Sequence, residues 1–138
     1  MKRSVVTAVL LAFMLLSACG KKNTLDALLP QDISSARIEI LSSTSQGTAL
    51  ECRKGEELFE TLMECLQNGD YESCEGEEWE YDYRIILYDE EGECLEELQV
   101  MQGEEICMEG NFYRAQSTDT AEKMQAAIRD AVKKESAQ

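Results

Sequence analysis

Apolar residues recur along this chain with two different periods, and each change of period marks an element. From Trp79 to Tyr88 the side chains alternate. Trp79, Tyr81, Tyr83, Ile85 and Leu87 share one face, while Glu80, Asp82, Arg84, Ile86 and Tyr88 share the other. Period two belongs to a strand in a sheet, because successive side chains point to opposite faces. The same alternation places Ile38 and Ile40 opposite Arg37 and Glu39, and a polar stretch from Ser42 to Gly47 leads on to Leu50 and Cys52. Two short strands around a polar loop predict a hairpin. After Gly55 the period lengthens. Leu58, Phe59, Leu62, Met63 and Leu66 fall three and four residues apart, with Glu56, Glu57, Glu60 and Glu64 on the other side. That is one apolar helix face, and Gly69 is placed to end the helix in the left-handed conformation. Asp70 to Glu78 reads as an acidic loop.

The second half predicts a meander. Asp89-Glu90-Glu91-Gly92 is a tight turn whose glycine suits the positive φ of a bulged hairpin. In the strand from about Cys94 to Met101, Leu95 and Met101 share one parity and Leu98 and Val100 the other. The shift predicts a bulge, or a strand covered on both sides. Gly103 marks the next turn, Ile106 and Met108 alternate, and Gly110-Asn111 turns the chain towards Phe112, Tyr113 and Arg114. Asp119 and Glu122 have capping-box spacing, and Ala121, Met124, Ala127, Ile128, Ala131 and Val132 form the buried stripe of a closing helix. The expected fold class is α+β: an antiparallel sheet, made of a hairpin plus a four-strand meander, with two helices packed on one face. Residues 33–138 are its single domain.

The first residues follow neither period. Lys2 and Arg3 precede an apolar run from Val5 to Leu16, interrupted only by Thr7, and the small residues Ser17 and Ala18 follow. Charged start, short apolar middle and small-residue end describe an export signal. The run is far shorter than the roughly 20 apolar residues that span a bilayer. Leu16-Ser17-Ala18-Cys19 resembles the lipobox of bacterial lipoproteins, an aliphatic residue and two small ones before a cysteine. The resemblance implies a thioether-linked diacylglycerol on Cys19 and cleavage just before it, so residues 1–18 would be a signal peptide. Two acyl chains supply the two-signal anchoring that one chain cannot. Lys21 and Lys22 adjoin the lipid, where anionic headgroups lie. Residues 19–32, which include the chain's only proline, Pro30, read as a tether, with one possible helical turn over Leu25, Leu28 and Leu29. The localisation implied is the outer, extracytoplasmic face of the cell membrane.

The order and turns of the mature part, Tyr81-x-Tyr83-x-Ile85-x-Leu87-Tyr88-Asp89-x-x-Gly92, then Leu95, Phe112-Tyr113 and an acid-capped helix, resemble small domains of unknown function in Gram-positive lipoproteins. The resemblance spans residues 33–132 and carries no catalytic residues. The cysteines are not part of its pattern.

Composition narrows the function classes. Losing Lys2 and Arg3 with the leader takes the formal charge from −15 to −17. Between Glu51 and Glu109 stand 21 acidic residues against Arg53, Lys54 and Arg84. Such a surface repels phosphates, which excludes nucleic acid as a partner. The chain has no histidine, so Ser-His and Cys-His nucleophile pairs and most zinc sites are excluded. No glycine-rich phosphate cradle occurs, and Asp89–Gly92 lacks the spacing of a calcium loop. No cofactor, metal site or catalytic residue is therefore expected. Five cysteines remain beside Cys19: Cys52, Cys65, Cys74, Cys94 and Cys107. Thiols outside the membrane tend to pair, and an odd number leaves one over. Cys65, in the last turn of the first long helix, and Cys74, in the acidic loop, are the candidate disulfide; the alternative is a core-facing thiol at Cys65. The expected function is a non-catalytic binding or accessory domain of the cell envelope, not an enzyme, with the membrane and an envelope protein as its partners. A thiol-based redox protein is the alternative.

Overall fold

The hairpin expected around Ile38 and Leu50 opens the sheet of the computed structural model, which describes residues 24–42, 47–76 and 80–137. Strand β1 (Ser35–Ile40) pairs antiparallel with β2 (Ala49–Arg53), with Ala36 opposite Cys52 and Ile38 opposite Leu50. On its other side β1 meets β4 (Tyr83–Tyr88), and β4, β5 (Cys94–Met101), β6 (Glu105–Met108) and β7 (Asn111–Ala115) follow as the expected meander. A further strand, β3 (Tyr71–Cys74), closes the far edge against β7. The order is β2-β1-β4-β5-β6-β7-β3, and each pairing is antiparallel. The three helices among the described residues are α1 (Leu25–Leu28), α2 (Glu57–Asn68) and α3 (Thr118–Ser136).

Register makes the alternation continuous across the sheet. Leu50, Ile38, Ile85 and Leu98 stand in one cross-strand row, and Val100, Ile106 and Tyr113 stand in another, all buried. They share one apolar cluster with Phe59, Leu62 and Leu66 of α2 and Met124 and Ile128 of α3. The opposite row is charged. Arg37 pairs with Glu51 at 3.0 Å and Glu39 at 3.3 Å, while Arg84 bridges Glu39 and Glu97 at 3.0 and 2.9 Å. The suspected bulge lies at Leu95: Leu87 faces Glu96 but Tyr88 faces Cys94, so one residue of β5 has no partner. Gly92 takes the expected positive φ, 82°.

Several expectations are corrected. Residues 71–74 form β3, not a loop, because pairing with β7 supplies what their own pattern lacks. The strand expected from Trp79 begins only at Tyr83, and Trp79 lies outside the described residues, as do 43–46 of the hairpin loop. The last hairpin turns at Glu109-Gly110, one residue before Gly110-Asn111, since Met108 pairs with Asn111 and both turn residues have positive φ. The N-cap of α3 is Ser117, which puts Asp119 inside its first turn and removes the capping box. Gly69 is not left-handed. Its φ is −90°, and Asp70 takes the positive value, 54°. Glycine is required there by space: a Cβ would lie 2.0 Å from the Cys65 carbonyl oxygen and 2.4 Å from a Thr120 methyl. The tether also changes. Leu25, Leu29 and Ile33 enter the core, and Thr24 bridges to Glu72, so the folded domain reaches back to residue 24. Apolar leucines around one turn found partners on α2 and β3 that a linear reading does not supply.

Candidate functional site

Helix α3 runs antiparallel to α2. Lys123 Nζ sits 3.5 Å from Glu64, and the Cys65 thiol donates to the Thr120 carbonyl at 3.8 Å. These contacts place the start of α3 against the end of α2. The helices differ in length: 19 residues in α3 against 12 in α2. At about 1.5 Å per residue, α3 is the longer by about 10 Å. The stripe expected to be buried along all of α3 is therefore buried only at Ala121, Met124 and Ile128, and Ala127, Ala131 and Val132 stay half-exposed.

That uncovered end forms one wall of a groove. The start of α2 and strand β2 form the others, around a cavity of 580 Å³. Leu50, Cys52, Leu58, Ala127 and Ala131 give it apolar walls. Glu51, Glu56, Glu57, Asp130 and Glu135 border it, against Lys133 and Lys134. None of these residues stood out in the sequence as a group, because the groove joins three elements distant along the chain. The one available signal was the excess length of the last apolar stripe over the first.

The thiols divide between two environments. Cys52 and Cys65 are buried on the core side, at 2% and 3% exposure. Burial, with Glu56 nearby, pushes the Cys52 thiol up to about 11, and burial first, then Glu64, raises Cys65. Cys74 and Cys107 flank Phe112 in one row across β3, β7 and β6, on the sheet face opposite Tyr113. Two strand spacings, about 10 Å, separate them, beyond the reach of a disulfide. Burial raises Cys74 as well, and Cys94 is exposed beside the β4–β5 turn. All five described cysteines are free. The expected Cys65–Cys74 pair is thus corrected: the thiol of Cys65 points to Thr120, whereas β3 turns Cys74 to the opposite sheet face. A strand in place of the loop takes away the freedom to double back that the pairing required. The thiols of Cys52, Cys65 and Cys74 are shifted away from the thiolate form that nucleophilic and redox chemistry uses.

Of the aromatic row, Tyr83 packs against the core and Tyr81 is half-buried. Tyr71, in the missed strand, is 2% exposed and donates its hydroxyl to the Gly103 carbonyl, and burial raises its pKa. Cys19, the expected lipid attachment point, lies outside the described residues. Among the described residues no group of three potential ligands stands together for a metal ion.

The raised acids have a consequence for stability. In an unfolded chain a thiol ionises near about 8.5 and a phenol near about 10, whereas the folded domain holds Cys52 protonated to about 11. Between those values the unfolded state binds fewer protons, so stability must fall as pH rises. Urea titrations under reductant are expected to show the midpoint dropping from pH 8 to pH 10.5. Cys52→Ala should reduce the early part of that fall, leaving the share of Cys65 and Cys74 there and the part due to Tyr71 above about pH 10. An unchanged profile in the variant would assign the effect to other groups.

Compared with family models, curated proteins and solved structures, the chain finds no match.

Proposed function

We propose that the mature protein is a bacterial lipoprotein, held on the outer face of the cell membrane through Cys19 and acting as a non-catalytic binding or accessory domain. The observation that carries this reading is the N-terminal pattern, in which Lys2-Arg3, a short apolar run and Leu16-Ser17-Ala18-Cys19 follow in the order an export and lipidation signal needs. The fold is compatible with it. Only residues 20–23 separate Cys19 from Thr24, which bridges to Glu72, so this edge of the domain stays within about 18 Å of the lipid-bearing residue. No helix among the described residues is long and apolar enough to cross a membrane; two acyl chains on Cys19 would supply the attachment. The acidic domain and the basic pair Lys21-Lys22 then divide the work, the lysines meeting anionic headgroups and the carboxylates holding the domain off them. The lack of histidine and the protonated thiols favour contact over chemistry.

Mass spectrometry of the wild-type protein, made in a bacterium with its own leader and extracted in detergent, tests the anchor. The expected product begins at Cys19 and carries a diacylglyceryl group. An unmodified chain beginning elsewhere would refute the anchor.

A further inference from the structure

The sheet has two edges, and they are finished differently. At β3 the edge is covered by Thr24, which bridges to Glu72. Among the described residues, no strand lies beyond β2. The bonds Ile40 N–H to Thr48 O at 2.9 Å and Lys54 N–H to Ser34 O at 3.0 Å set the phase of its ladder with β1. In that phase Leu50 and Cys52 face β1 with their backbone groups, while Ala49 and Glu51 turn theirs outward. Arg53 is the next outward residue, but its backbone is occupied: Glu56 Oε1 accepts its N–H at 2.9 Å, and its carbonyl accepts the Glu56 N–H at 3.0 Å. An open stretch of edge thus ends where the groove between α2 and α3 begins.

We propose that the β2 edge and the adjoining groove bind an extended peptide segment in which cationic and apolar side chains alternate. The backbone of Ala49 and Glu51 supplies the donors and acceptors that an added strand uses. Alternate apolar side chains of the peptide reach Leu58, Ala127 and Ala131, the uncovered apolar wall of the groove. The intervening cations meet the rim, where five carboxylates stand against two lysines. The charge also rejects other occupants. A second copy would bring an equally acidic rim against this one, and a phosphate-bearing surface would be repelled. The inference rests on the binding-domain reading above and gives it a site and a partner chemistry.

The test uses the full mature lipoprotein in non-ionic detergent and fluorescence anisotropy of a labelled peptide of alternating lysine and valine. The wild type should bind it, more weakly as salt rises, and should ignore the counterpart with glutamate for lysine. Glu57→Lys combined with Asp130→Lys, both at exposed helix positions, should weaken binding about tenfold or more, since two favourable contacts become repulsive. Glu51→Pro should weaken it too, because proline removes an outward N–H that β1 does not use. Glu104→Lys with Glu109→Lys, exposed at the two turns that flank β6, four strands away from β2, should leave binding unchanged. No binding by the wild type, equal binding of the glutamate peptide, or the same loss from the distant pair overturns the proposal. Photo-crosslinking in native membranes separates the two readings. If the peptide fails and a partner is captured from Tyr88, on the opposite sheet face, the groove falls and the binding domain stands. If the peptide fails and neither Tyr88 nor Thr61, on the α2 wall of the groove, captures a partner, both fall.

Discussion

Cells producing the Cys19→Ser chain are expected to accumulate the uncleaved precursor, with no lipid-modified form at all. The argument is chemical. A thioether needs the sulfur of Cys19, and the hydroxyl of serine offers no equivalent nucleophile to the same chemistry. The resemblance to the lipobox places cleavage after lipidation, so residues 1–18 should stay attached. The folded domain should be unaffected, because the core is built from residues that follow Thr24. Immunoblots after detergent phase partition read both effects: wild type in the detergent phase at the mature mass, and the variant larger by the leader. A variant that is still processed to the wild-type mass would show that Cys19 is not the acceptor. Cys52, Cys65, Cys74, Cys94 and Cys107 serve as controls, since serine at any of them should leave partition unchanged.

The largest stability loss is expected for Ile85→Ala. Ile85 lies in β4, the strand that joins the meander to the hairpin, and has no exposed surface. Its register neighbours are Ile38 on one side and Leu98 on the other, both fully buried, and strands on both sides hold the backbone in place. The site cannot collapse to fill the space. Truncation should therefore cost about 2–5 kcal/mol, against a total of about 5–15 kcal/mol for a domain of this kind. Ile86→Ala is the internal comparison. Ile86 is half-buried in the opposite row of the same strand, paired with Arg37 and Glu97, and should cost less than about 1.5 kcal/mol. Urea denaturation of both variants checks the difference. Equal losses would mean that the face assignment of β4 is wrong.

The comparison of Ile85 with Ile86 also shows what kind of information the chain carries locally. Both are isoleucine, and parity alone separates them, because Tyr83, Ile85 and Leu87 fall in phase with the apolar partners of β1 and β5. The same held for Gly92, whose turn was readable from Asp89 to Gly92, and for the bulge that the parity change at Leu95 announced. Errors clustered where an element takes its form from a neighbour. Tyr71-Glu72-Ser73-Cys74 has one buried residue, and β7 makes it a strand. Gly69 looked like a left-handed stop, yet Thr120, far along the chain, sets the space it must leave open.

The candidate sites divide in the same way. The proposed leader and lipobox and the absence of histidine are contiguous or compositional properties, so the expected address and the histidine-dependent sites not expected can be read from the sequence alone. The two periods, each long enough to outvote its exceptions, likewise determine an α+β fold with an antiparallel sheet. Tertiary structure alone decided that Cys65 and Cys74 stay apart, that Leu25, Leu29 and Ile33 belong to the core, and that α3 outruns α2 to leave a groove beside an open edge. Each of these depends on which surfaces meet across long stretches of chain. Local periodicity tells a residue which way to face within its own element, and the packing of distant elements settles what it meets there.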